Sequence, residues 1–163
     1  MSEQEFNKIT ALLDAAGAKY EVYEHIAVRT SQEAAAVRGS ALKEGVKALL
    51  VKFKRKGKEF YAVLNIPADR KLDFEKAKKV LQAEGEVKFA KLEEVEEKTG
   101  CQAGGVPPLG HKNELALLVD PRIFENEFLE FNAGLKTKSV RVESAGLKKA
   151  FEQAGAAFFE LAE

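Results

Sequence analysis

The sequence predicts an α+β (mixed α/β) fold, with helices flanking a central mixed, largely antiparallel sheet. Three observations carry this. Strand-like alternation and helical spacing are intermixed along the chain instead of segregated into halves. The two strongest strand candidates, residues 46–53 and 60–66, are joined by a short turn at Gly57, which makes a hairpin and not a βαβ crossover. No internal repeat or low-complexity linker divides the 163 residues, so one domain spanning 1–163 is expected.

The elements follow in order. Ser2 and Glu5 are spaced as a capping box, Phe6, Ile9, Leu12 and Leu13 recur on one helical face, and Gly17 stops the run. Residues 18–23 read as a short strand. Thr30 with Glu33 is a second capping box, opening a small alanine-rich helix through Ala34, Ala35, Ala36 and Val37 that Gly39 closes. Residues 46–53 are apolar on both faces, Ala48 and Leu50 on one and Leu49, Val51 and Phe53 on the other, as in a central strand covered on both sides. Asp73 caps a helix holding Phe74, Ala77, Val80 and Leu81, with Gly85 as its expected end. A short strand at 87–90 and a charged helix around Leu92 and Val95, ended by Gly100, come next. Residues 115–119 form a buried strand. Asp120-Pro121 reads as an N-cap followed by proline at the first helical position. Strands at 128–131 and 140–142 flank a turn at Gly134, Ser144 caps a last helix with Leu147, Ala150 and Phe151, and residues 158–161 form a final strand.

Between the charged helix and the strand at 115–119 lies the most unusual stretch, residues 100–111. It holds Gly100, Gly104, Gly105 and Gly110 together with adjacent Pro107 and Pro108. Glycine lets the main chain be approached closely, while proline stiffens it. Such a loop is either a tight crossover or a binding surface made of backbone.

Composition narrows the chemistry. Acidic and basic side chains balance at 26 each, so no global field draws in nucleic acid and any such binding must be local. One cysteine, Cys101, and two histidines, His25 and His111, leave no basis for a disulfide framework or a Cys/His metal cluster, and no cofactor or metal is expected. Cys101 reads as a small packed thiol. There is no Walker loop, dinucleotide fingerprint or nucleophile elbow. No apolar run is long enough to cross a bilayer, so a cytoplasmic protein is expected. Two features stay open on the residues alone. Lys47 falls on the apolar face of Leu49, Val51 and Phe53, where it either snorkels to water or meets an anion. The hairpin lysines and arginine, Lys54, Arg55, Lys56 and Lys58, are either a solvated turn or a phosphate-binding patch.

Five pieces stand in a telling order: Tyr23-Glu24-His25 before a Thr30-capped helix; Val46-Lys47-Ala48-Leu49-Leu50-Val51; Asp69-Arg70-Lys71-Leu72-Asp73; Gly104-Gly105-Val106-Pro107-Pro108-Leu109-Gly110; and Phe131-Asn132-Ala133-Gly134 followed by Ser139. Together they resemble the YbaK/ProX family of aminoacyl-tRNA deacylases, related to the editing domain of bacterial prolyl-tRNA synthetases. The glycine–proline loop is similar to that family's G-x-x-x-P loop, with Gly104 and Pro108 as its fixed ends. The resemblance implies a trans-editing deacylase that hydrolyses the ester of a mischarged small amino acid, of the alanine or cysteine class, on tRNA, foremost tRNA(Pro). It implies the 3′-terminal CCA end of aminoacyl-tRNA as partner, with prolyl-tRNA synthetase as a further one, and no membrane. It assigns Lys47, Gly104, Gly105 and Pro108 to catalysis, His25, Thr30, Asn132, Gly134 and Ser139 to substrate binding, and the hairpin cations to tRNA. Editing of this kind is needed because a pocket separates side chains differing by one methylene by only about 1–3 kcal/mol. Two departures stand out: Pro107 where the family often has serine, and Ser139 where the branch resembling Cys-tRNA deacylases is acidic. A non-catalytic module holding tRNA or a synthetase is the alternative on the same scaffold.

Overall fold

The computed structural model describes residues 2–27, 31–39, 41–113 and 115–163. Among the described residues, five α-helices and eight strands follow in the order α1 (Ser2–Ala15), β1 (Tyr20–Glu24), α2 (Ser31–Arg38), β2 (Val46–Arg55), β3 (Lys58–Pro67), α3 (Phe74–Leu81), β4 (Glu84–Phe89), α4 (Leu92–Thr99), β5 (Ala116–Val119), β6 (Phe128–Asn132), β7 (Lys138–Glu143), α5 (Ser144–Gln153) and β8 (Ala157–Phe158). The helical stretches and the hairpin lie where periodicity puts them. The mixed α+β class holds, and the main sheet is mixed: β4-β2-β3-β5-β8, with β2 antiparallel to both neighbours and β3-β5 and β5-β8 parallel.

Sequence reading expects one sheet, but the strands sort into two. β1, β7 and β6 form a separate antiparallel sheet, joined to the first through an isolated bridge between Gly45 and Glu130. Its inner side chains, Leu129, Phe131, Val140 and Val142, pack with Val46 and Val119 of the main sheet and with Ile9, Leu13, Leu147 and Phe151 of α1 and α5. A second cluster on the opposite face of the main sheet gathers Val51, Phe53, Leu64 and Ile66 under Ala77 and Leu81 of α3.

Some boundaries move. α3 ends at Gln82 in a left-handed conformation, not at Gly85, which lies inside β4 where the β2–β4 register slips between Lys52 and Lys54. Ser144 is the first residue of α5 and not its cap. The chain runs from β7 straight into the helix, and the Ser144 hydroxyl donates to the Asn126 carbonyl instead. β8 covers Ala157–Phe158, and residues Leu42–Glu44 form a 3-10 turn with no apolar period to announce it. The expected caps behave better at Asp73, which accepts from the N–H groups of Glu75 and Lys76. The Thr30 cap lies outside the described residues, as does the Ser2 side chain. Among the described residues, no helix is long and apolar enough to cross a membrane.

Candidate active site

The site is built on residues 100–111, which leave α4 at Gly100 and lie against the face of the main sheet carrying Ala48, Leu50 and Val63. Proline has no N–H, so the fold pins this loop by its carbonyls. The Asn65 side chain donates from β3 to the Pro108 carbonyl at 3.1 Å, and His111 Nε2 donates to the Pro107 carbonyl at 2.7 Å. Within the loop the Gly105 N–H donates to the Gln102 carbonyl at 2.8 Å. Gly104 has φ +91°, a left-handed conformation that side chains with a Cβ resist. Burial of His111 pushes its pKa down to about 4, although the bond to Pro107 favours the protonated ring. Cys101 is fully buried, its thiol pushed up to about 12, first by burial and then by the Glu5 carboxylate. A thiol held so high is a packed group and not a nucleophile.

The turn between β6 and β7 closes over this loop. The Asn132 side-chain amide donates to the Gly104 carbonyl. A Cβ on Gly105 would stand 3.4 Å from the backbone of Leu135 and Lys136, and one on Gly104 would stand 3.5 Å from the Lys136 side chain. Loop and turn therefore meet backbone to backbone at Gly105, while at Gly104 the positive φ is what calls for glycine. Gly134 shapes the same turn from a buried position.

Strand register adds the third piece. Asn132 faces Ser139 across β6–β7, and Ser139 faces Tyr23 across β7–β1. His25 follows β1, tied by its N–H to the Thr137 carbonyl. Its Nδ1 lies 2.7 Å from the Ile26 carbonyl, and its Nε2 lies 2.7 Å from the Ser139 hydroxyl. A carbonyl only accepts, so Nδ1 carries a proton and donates to Ile26, and Nε2 and the Ser139 hydroxyl share the second hydrogen bond. The fold thus brings His25, Ser139, Asn132, Gly134, Gly104 and Gly105 into one connected patch, drawn from three segments distant in sequence.

Other expected site residues stand apart. Lys47 occupies the face it was expected on, with Leu49, Val51 and Phe53, which is opposite to the face that Ala48 and Leu50 turn towards Ala103 and Val106 of the loop. It is half-buried, and its pKa is lowered by desolvation, which outweighs the attraction of Asp69. β4 pairs only with the far half of β2, so near Lys47 that edge of β2 is not covered by β4. The hairpin cations Lys54, Arg55, Lys56 and Lys58 sit at the other end of β2, roughly 25 Å away at 3.3 Å per residue. Acids interleave with them: Glu59 faces Lys54 across the hairpin, and the Glu84 side chain accepts from the Gly57 N–H. Arg55 lies over the rings of Phe53 and Phe60. Thr30 lies outside the described residues.

Three residues that sequence reading left out belong to the patch or its support. Asn65 was legible as the single polar residue in the apolar run of β3. His111 stands out as one of two histidines, with no sequence pattern to give it a role. Lys136 gave no signal, since a lysine in a turn is ordinary. Among the described residues, no cluster of three or more His, Cys, Asp or Glu side chains is placed to hold a metal.

Comparison with known proteins gives this geometry a family. Residues 25–150 match the model of the aminoacyl-tRNA editing domain, a span that contains every residue of the patch. The chain is 34% identical over 139 residues to the multifunctional Ser/Thr-tRNA deacylase ProXp-y of Escherichia coli, an overlap covering 85% of this chain and 83% of that protein. Among solved structures, a candidate trans-editing enzyme for prolyl-tRNA synthetase superposes with a TM-score of 0.79 at 27% identity, covering 98% of this chain and 97% of that one. A protein described only as hypothetical superposes with a TM-score of 0.81 at 27% identity, over 96% of this chain and 99% of that one. With the glycine–proline loop, its clasping turn and the matched span in agreement, this chain belongs to the aminoacyl-tRNA editing domain family.

Proposed function

We propose that the chain is an aminoacyl-tRNA deacylase that removes a small hydroxylated amino acid, serine or threonine, from the 3′ end of a mischarged tRNA. The observation that carries the reading is the connected patch from His25 through Ser139 and Asn132 to Gly104. It sets a side-chain hydrogen-bonding pair beside an accessible stretch of backbone. The ester carbonyl sits over the loop, where the Gly104 N–H stabilises the developing oxyanion. The Gly105 N–H is already committed to Gln102, so Gly105 contributes close approach and Pro108 stiffness. Both ring nitrogens of His25 are engaged without substrate, so the hydroxyl of the bound amino acid meets His25 Nε2 in exchange with Ser139. A site that pairs such a hydroxyl favours it over a side chain lacking it. No side chain of the patch is assigned as general base. A water, or a hydroxyl of the substrate itself, is the nucleophile, and positioning supplies most of the rate.

Lys47 supplies positive charge at the entrance to β2. Desolvation lowers its pKa against the attraction of Asp69, and an anionic tRNA end would favour its charged form further. The name of the Escherichia coli relative supports serine or threonine, while the likeness to a candidate trans-editing enzyme for prolyl-tRNA synthetase supports the second reading, alanine or cysteine on tRNA(Pro).

The test is a deacylation panel with serine, threonine, alanine, cysteine and proline each charged on several tRNAs, tRNA(Pro) among them, with Lys47→Ala in parallel. Release of serine or threonine, reduced in the variant, supports the reading. Selective release of alanine or cysteine from tRNA(Pro) moves it to the second. Binding of tRNA with no release of any amino acid makes the chain a non-catalytic module.

A further inference from the structure

Lys136 sits in the turn that covers the glycine loop. Its side chain is half-buried, and its Cε stands 3.5 Å from the position a Cβ on Gly104 would take. Its backbone N stands 3.4 Å from the corresponding point on Gly105. The stem therefore lies along the loop with the ammonium at its end, anchored at a backbone already fixed by the Asn132–Gly104 bond.

Three nearby cations have partners of their own. Lys138, two residues on, lies 3.4 Å from the Glu3 carboxylate and over the ring of Phe6. Arg141 is held by Glu130 at 3.0 Å and Glu44 at 3.5 Å. Lys8 reaches the His111 carbonyl. Lys136, by contrast, has no carboxylate partner among the described residues. In a chain of zero net charge, a cation left unneutralised beside an accessible backbone loop is a local anion site.

We infer that Lys136 binds a phosphodiester of the 3′-terminal nucleotides of the substrate, positioning the ester on the loop around Gly104. Lys136 is a positioning residue, since it contacts the phosphate and not the reacting carbonyl. This rests on the deacylase reading above. Neither the hairpin cations nor a global field is needed for this contact.

The experiment compares two substrates carrying the same amino acid, the aminoacyl-tRNA and a 3′-aminoacyl adenosine that has no phosphate. Wild type, Lys136→Met and Lys136→Arg are measured on both. The expected result is that Lys136→Met loses about tenfold in kcat/KM on the tRNA, mostly through KM, and that its preference for tRNA over the phosphate-free ester narrows by the same factor. Lys136→Arg restores most of that preference, because it keeps the charge. An equal loss on both substrates, or no rescue by arginine, overturns the inference in favour of a packing role for the stem. No loss on either substrate also overturns it. Failure of the wild-type protein to hydrolyse either substrate counts against the deacylase reading itself, which separates the two outcomes.

Discussion

His25 Nε2 and the Ser139 hydroxyl lie 2.7 Å apart across 114 residues of sequence. Ser139 is fully buried near the start of β7, the middle strand of the three-stranded sheet, and His25 is the first side chain beyond β1 to reach it. The pair ties the loop after β1 to the row Tyr23–Ser139–Asn132, and through Asn132 to the glycine loop.

Ser139→Ala removes the hydrogen-bond partner of Nε2 and leaves the ring half-satisfied. The expected cost is about 1 kcal/mol of stability. The larger effect is on selectivity: the preference for serine or threonine over alanine narrows by about tenfold. Paired kcat/KM measurements on the competing esters check this. An unchanged ratio would remove the pair from amino-acid recognition.

Gly104→Ala forces a Cβ into a backbone with φ +91°, at about 1–2 kcal/mol. The added Cβ meets the Lys136 stem at 3.5 Å, an ordinary contact distance, so the strain is in the backbone. Deacylation is expected to fall by more than tenfold, beyond what the loss of folded protein explains. Denaturant unfolding beside single-turnover kinetics separates the two effects. If activity tracks stability alone, the loop is only a crossover.

His111 gives a pH signature. Its ring stays neutral in the folded chain down to about pH 4 but takes a proton near 6.5 when unfolded. Between those values the unfolded state binds the extra proton, so stability rises with pH across the window and is lost as pH falls through it. The contribution is on the order of 3 kcal/mol. His111→Gln keeps a donor for the Pro107 carbonyl and does not titrate. Urea unfolding from pH 7 to pH 4 should show a shallower decline for this variant than for wild type.

Asp120 has a structural part to play. Burial is the largest single influence on it and pushes its pKa up. Hydrogen bonds from Arg122 and from the N–H groups of Leu161, Ala162 and Arg122 together outweigh burial and hold it down at about 2. It therefore anchors the end of the chain as well as capping the 3-10 turn that follows it. Asp120→Ala leaves those donors buried and should cost about 3 kcal/mol. That corresponds to roughly a 10 °C drop in Tm. A thermal melt checks it, and deacylation at low temperature should be retained.

The sequence by itself determined the local structure. The 46–53 and 60–66 hairpin, the Asp73 cap, the Asp120-Pro121 turn and the amphipathic helices are short-range signals, carried by spacing and by backbone preferences of single residues. The glycine–proline loop was conspicuous for the same reason, and the ordered motifs were enough to suggest the family. The tertiary structure alone decided which residues meet. Two separate sheets follow from which strand edges find each other, a long-range choice that alternation does not encode. The turn with Lys136 meets Gly104 only because β6 and β7 pack over the loop. Lys47 is on the far face from that loop because strand period sets its side, and the placement of the loop set the other. Asn65 and His111 gain their roles from two proline carbonyls that no local pattern joins to them.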